Sequence, residues 1–92
     1  MLARLGGDEF ALILPATNRE QAYATIERVR VALVTEPIEH LGAPLAISIS
    51  SGVAELSGDQ ETLDTLLGRA DQAMYRAKET GRNRTVVDSA AD

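Results

Sequence analysis

Apolar positions alternate in some stretches of this chain and recur every three to four residues in others, and the switches between the two periods predict its elements. Leu2 to Leu5 and Phe10 to Leu14 are short apolar runs on either side of Gly6-Gly7. They predict a β-hairpin, because glycine adopts the positive φ of tight hairpin turns without steric cost. Phe10, Leu12 and Leu14 fall on one face of the second strand, and Ala11 and Ile13 on the other. A strand apolar on both faces is expected to be central and covered on both sides, and Pro15 ends it. Thr17 or Asn18 can cap a helix, with Glu20 or Gln21 closing a capping box. Ala22, Ile26, Val29 and Leu33 form its apolar stripe, Glu27, Arg28 and Arg30 lie off it, and Pro37 ends it near Thr35.

A polar connector with His40 and Gly42 follows, and His40 reads as a solvated loop residue because the sequence places no partner acid beside it. From Pro44 the alternation predicts one continuous strand. Leu45, Ile47, Ile49 and Val53 project one way, and Ala46, Ser48, Ser50, Gly52 and Ala54 the other. The small face implies something large packed closely against it, so Ser48, Ser50 and Ser51 read as packing residues rather than nucleophiles. A loop from Glu55 to Asp59 leads to a helix from about Thr62 to Thr80, striped by Leu63, Leu66, Leu67, Ala70, Met74 and Ala77. Gly81 is its natural C-cap, and Arg76 and Lys78 complement its dipole. Arg84 to Val87 is a last strand, and Asp88 to Asp92 a polar tail, giving one domain over residues 1–87 and a tail over 88–92. The order β-turn-β-α-β-α-β predicts a two-layer α/β sandwich with both helices on one face of the sheet.

Composition narrows the class. A chain of 92 residues makes one domain, or part of one, and buries only about 60–65% of its unfolded surface, so its core is thin. With one Phe, two Tyr and no Trp, aliphatic residues must carry the packing. The absence of Cys excludes disulfides and thiolate metal sites and fits a reducing compartment. No apolar run approaches the roughly 18 residues that span a bilayer, and no apolar stretch follows the charge of Met1-Leu2-Ala3-Arg4 as a signal peptide requires. The expectation is a cytoplasmic protein. A net charge of −5 argues against a nucleic-acid partner, although five of the nine basic residues (Arg69, Arg76, Lys78, Arg82 and Arg84) fall in the last quarter of the chain, a local anion site at most.

Two clusters carry chemistry. Asp8 and Glu9 sit at the mouth of the glycine turn and offer several oxygens to a hard cation such as magnesium. Turn chemistry alone accounts for such a cluster equally well. Lys78 and Arg82 lie four residues apart across a helix C-terminus; Arg82 can present a planar fork to phosphate oxygens and Lys78 a mobile point charge. Taken alone, they are cations favoured by the helix dipole.

The segment Ala70-Asp71-Gln72-Ala73-Met74-Tyr75-Arg76-Ala77-Lys78-Glu79-Thr80-Gly81-Arg82-Asn83 resembles the C-terminal signature of GGDEF domains, the diguanylate cyclase family. Arg4-Leu5-Gly6-Gly7-Asp8-Glu9-Phe10 is similar to that family's active-site hairpin, and Ile47-Ser48-Ile49-Ser50-Ser51-Gly52-Val53-Ala54 to its strand between the two helices. The resemblance implies a palm-like α/β fold of the nucleotidyl cyclase type. It implies condensation of two GTP molecules into cyclic di-GMP, with release of pyrophosphate, by a dimer of two such domains in bacterial signalling. Asp8 and Glu9 would be the catalytic and magnesium-binding residues, with manganese as the substitute metal. Gly6 and Gly7 would let backbone approach the triphosphate, and Lys78 and Arg82 would neutralise the β and γ phosphates.

The same resemblance shows what this stretch of the family pattern leaves out. Members carry an N-terminal half with a strand bearing an aspartate metal ligand, a helical region that reads guanine, and an Arg-x-x-Asp inhibition site, near which only Ala3 and Arg4 stand here. The expected result is a truncated palm, its central strand missing between Phe10–Leu14 and Leu45–Val53. Such a chain should bind nucleotide weakly and without base preference, show no turnover alone, and rearrange, swap elements with a second copy or borrow a strand from a partner. The alternative is a non-catalytic nucleotide-binding or dimerisation module of a signalling protein.

Overall fold

A computed structural model describes residues 1–36 and 38–88. Its elements are β1 (Leu2–Arg4), β2 (Phe10–Leu12), α1 (Arg19–Thr35), β3 (Ile38–His40), β4 (Ala43–Leu45), β5 (Ser50–Val53), α2 (Leu63–Glu79) and β6 (Arg84–Val87). Local signals explain most boundaries. Asn18 is the N-cap of α1: its side chain accepts from the Gln21 amide at 2.8 Å while the Gln21 side chain accepts from the Asn18 amide at 3.0 Å, a complete capping box. Thr62 caps α2 by accepting from the Thr65 amide at 3.2 Å. At the other end of α2 the chain turns at Gly81, with φ +129°, and the Arg82 amide reaches back to the Ala77 carbonyl at 2.9 Å, the longer bond of a Schellman closure. Pro37 and residues 89–92 lie outside the described residues.

The strands form three separate two-stranded sheets: β1 with β2 and β3 with β4, both antiparallel, and β5 with β6 in parallel. Three expectations change here. The connector around His40 is a hairpin, in which Leu41 and Gly42, at φ +54° and +79°, make the positive-φ two-residue turn between His40 and Ala43. The strand expected to run unbroken from Leu45 to Val53 is divided, because its two ends find different partners and residues 46–49 find none among the described residues. And β2, expected to be covered on both sides, is paired among the described residues with β1 alone, and Phe10 is 61% exposed.

The centre of the molecule is the β5–β6 pair between the two helices. A side chain on Gly52 would collide with the backbone of Ala70 and Met74, so α2 lies directly on the face shared by Gly52 and Val86. This is the close approach that the small face of the strand predicts. Thr85, one residue from Val86 and therefore on the opposite face, donates from its hydroxyl to Glu27 of α1 at 2.7 Å. The helices thus flank the pair on opposite faces instead of sharing one; the mixed α/β class stands. Ala73 and Ala77 of α2 are fully buried and Val53 nearly so.

This core is small. The accessible surface of 6629 Å² exceeds the roughly 5,200 Å² expected for a folded chain of this mass. The radius of gyration, 14.2 Å, likewise exceeds the about 12 Å of a compact domain of this length. Ion pairs therefore matter more than usual. Arg69 donates to both oxygens of Glu61, at 2.8 and 2.6 Å, to Asp88 at 2.7 Å and to the Glu55 carbonyl at 2.6 Å. Asp88, placed with the tail by the sequence, is 5% exposed, and its amide donates to the Val53 carbonyl at 2.7 Å, extending the parallel pair.

The Arg30 fork and the Thr85 hydroxyl hold the Glu27 carboxyl below its ordinary range, and Arg69 with the Ser57 amide does the same for Glu61. A carboxylate with a depressed folded pKa stabilises above its unfolded pKa of about 4.3, and that stability is lost as pH falls through the folded value. Melting temperature is therefore expected to hold steady down to about pH 5 and to fall progressively below it, as checked by circular dichroism melts across pH.

Candidate functional site

The β1–β2 hairpin closes through a five-residue loop, Leu5 to Glu9, with the Leu5 amide bonded to the Glu9 carbonyl at 2.8 Å. Neither Gly6 nor Gly7 is among the residues with positive φ, so the glycines are not there for a tight-turn conformation. Nor are they there for packing: a Cβ on either would meet nothing within 4 Å. What they leave is open space over the loop backbone.

That backbone is held by a residue the sequence did not single out as functional. Arg4 donates from Nε to the Gly6 carbonyl and from Nη2 to the Gly7 carbonyl, both at 2.9 Å. Both peptide bonds are trans, so the amides of Gly7 and Asp8 point away from Arg4. Among the described residues these two amides have no hydrogen-bond partner, which leaves two adjacent donors in the loop. The available signal was a basic residue just before the glycines. Recognising it required knowing that the loop is wide enough for a guanidinium to reach across.

The two sequence clusters meet. Lys78 Nζ lies 3.9 Å from Glu9 Oε2, with side chains 33% and 42% exposed, so the last turn of α2 stands beside the hairpin loop. A pair this exposed contributes little stability, roughly 0–1 kcal/mol, and its information is positional. Asp8 is exposed and makes no hydrogen bond or ion pair among the described residues. Arg82 is exposed as well; its side chain touches neither carboxylate, and its backbone sits at φ +61°. No three His, Cys, Asp or Glu side chains cluster as a metal cage among the described residues. Two carboxylates nevertheless suit magnesium, which is commonly held by one or two of them together with substrate phosphates.

The site lies at the surface, with Gly6, Gly7, Asp8 and Arg82 all exposed. Surface depressions of about 450 and 320 Å³ lie along α1 and beside Tyr23 and Val87, and neither touches the hairpin or Lys78. No helix among the described residues is long and apolar enough to cross a membrane.

The family model described as diguanylate cyclase, GGDEF domain, matches residues 1–84. Diguanylate cyclase DgcP of Pseudomonas aeruginosa is 43% identical over 86 residues, which are 94% of this chain and 13% of that protein. Response regulator PleD of Caulobacter vibrioides is 40% identical over 90 residues, 96% of this chain and 20% of that one. Among solved structures, the GGDEF domain of DgcB from Caulobacter crescentus, in complex with c-di-GMP, superposes with a TM-score of 0.87 at 34% identity, over 97% of this chain and 53% of that one. The chain thus spans about half of the solved domain, and a smaller share of the curated relatives.

Proposed function

The chain belongs to the GGDEF family as a partial GGDEF domain, and on that premise we propose that its hairpin loop and the end of α2 together bind the magnesium-bound triphosphate of GTP. The observation that carries this reading is the Lys78–Glu9 approach at 3.9 Å, which sets a cation for phosphate beside carboxylates for a metal across about seventy residues of sequence. In it, the Gly7 and Asp8 amides and Lys78 hold phosphate oxygens, Arg82 adds a planar fork to the terminal phosphates, and Asp8 and Glu9 hold the metal. Magnesium, or manganese in its place, would neutralise phosphate charge and activate the attacking hydroxyl. The parent reaction is condensation of two GTP molecules to cyclic di-GMP with release of pyrophosphate, each GTP on one of two facing domains in the cytoplasm. The large exposed surface supports a second GGDEF domain as partner.

With Asp8 and Glu9 as the two carboxylates of the loop, these 92 residues are expected to bind the triphosphate without reading the base and not to turn over alone. A thermal-shift titration with magnesium and either GTP or ATP tests this. Both nucleotides are expected to raise the melting temperature to similar extents at millimolar concentration, and Asp8→Asn to abolish the rise. No shift with either, or cyclic di-GMP formed from GTP by the purified chain, would overturn it.

A further inference from the structure

The turn that presents Arg82 is backbone in a conformation that L-residues avoid. Gly81, Arg82 and Asn83 follow one another at φ +129°, +61° and +48°. Glycine takes such angles freely and asparagine more readily than most residues, but an arginine is strained there and persists only where neighbours over-determine it. The neighbours are identifiable. The Asn83 amide donates to Ser50 Oγ at 3.2 Å. Arg30 of α1 donates from Nη1 to the Asn83 carbonyl at 3.3 Å and to its side-chain oxygen at 3.2 Å. Arg84 Nε donates to the Arg82 carbonyl at 3.2 Å.

Arg30 is itself built in. Its Nε and Nη2 grip the two oxygens of Glu27 at 2.7 and 2.9 Å, its side chain is 19% exposed, and Glu27 is held in turn by the Thr85 hydroxyl at 2.7 Å. The pair is thus fixed from both α1 and β6, with one guanidinium nitrogen left to reach the turn. Arg30 is already paired with Glu27, so among the described residues Arg82 and Arg84 are the two positive charges of this short turn without a carboxylate, an arrangement that favours a bound anion. Arg82, whose side chain has no partner among the described residues, is the member left to take that anion.

We propose that Arg30 is a positioning residue of the phosphate site: from α1, it locks the left-handed Arg82-Asn83 turn and thereby sets where the Arg82 guanidinium is offered. This rests on the reading of Arg82 as a phosphate ligand. It assigns a functional role to α1, whose residues otherwise stand apart from the hairpin.

The test combines a ligand-free and a ligand-bound readout on the 92-residue chain, with magnesium and inorganic triphosphate as the probe. Carbon-13 backbone shifts of Arg82 and Asn83 report the left-handed conformation directly. Calorimetric affinities are compared among the wild type, Arg30→Met, Arg30→Lys, Arg82→Met and the double variants. Arg30→Met is expected to move both residues' shifts towards ordinary values and to weaken binding by about tenfold, as does Arg82→Met. The Arg30→Met/Arg82→Met pair should lose no more than either single change, whereas Arg30→Met with Lys78→Met should lose the product of both. Arg30→Lys, which keeps the charge but not the fork, should behave like Arg30→Met. Should Arg30→Met not fold, Ser50→Ala, which removes the other anchor of Asn83, takes its place and is expected to give the same shift changes and coupling. Unchanged shifts, or full additivity with Arg82→Met, would overturn the positioning role. Altered shifts with an Arg82→Met chain that binds as tightly as wild type would instead overturn the assignment of Arg82, and the proposal with it.

Discussion

Replacing Gly52 with alanine is expected to unfold the chain, or to drive α2 off the sheet. The added methyl would enter the backbone of Ala70 and Met74, and backbone cannot give way as a flexible side chain can. Overpacking of a tight core costs about 1–3 kcal/mol when neighbouring side chains can adjust. Here the obstacle is a helix whose own ladder must shift, so the cost exceeds that range. The core around Gly52 is Val53, Ala73 and Ala77, all small or medium in size, and it holds little reserve. Loss of the cooperative melt by circular dichroism is the expected result. A Gly52→Ala chain melting within a few degrees of wild type would show that α2 does not rest on this residue. Gly68→Ala on the same helix is the control: nothing lies within 4 Å of its added carbon, and alanine is the better helix former.

Arg69→Met is expected to be the next most damaging change, lowering the melting temperature by on the order of 10 °C or more. Arg69 ties the loop before α2 to the end of β6, with its own side chain 17% exposed and those of Glu61 and Asp88 each 7% exposed. Methionine keeps most of the volume and removes every bond. It strands the Glu61 carboxylate against a surface shaped for a guanidinium, and leaves Asp88 with Arg76 at 3.7 Å. Removing one partner of a shielded pair is costly because the other charge stays behind, dehydrated. Lys78→Met is the contrast, since its pair with Glu9 is exposed on both sides and should change melting by a degree or two at most. A melting curve for Arg69→Met that overlays the wild type would mean that the network follows the fold instead of holding it.

What could be read from the chain itself follows locality. The cap at Asn18, one of two candidates, the start of α2 near Thr62 and the turn at Gly81 are each set by residues within a few positions of one another, and the structure has them where the sequence placed them. The small face containing Gly52 announced a close neighbour by pattern alone. The family, too, was legible, because its hairpin and helix-end signatures are contiguous strings of residues.

Expectations failed where a partner had to be known. Alternation from Leu45 to Val53 predicts one strand, but a strand exists only where a ladder partner does, and β3 and β6 take opposite ends of the run. Glycines at positions 6 and 7 suggested a tight turn, yet the tight turn is at Leu41–Gly42, and the glycine loop is wide and held by Arg4. Periodicity placed Arg30 off the apolar stripe of α1 without naming a partner, and composition placed Asp88 in a tail; both are fixed by residues 53 and 19 positions away.

Residue order alone determined the two helices and their ends, the hairpin around the glycine loop, the small face for α2 and the motifs of Asp8, Glu9, Lys78 and Arg82, because short-range sterics and backbone hydrogen bonding act within a few residues. Only the tertiary structure decided that the helices take opposite faces of β5–β6, that Lys78 stands beside Glu9, and that Arg30 reaches the Arg82 turn. Those contacts join residues far apart along the chain, and chain closure over such distances leaves no trace in local spacing.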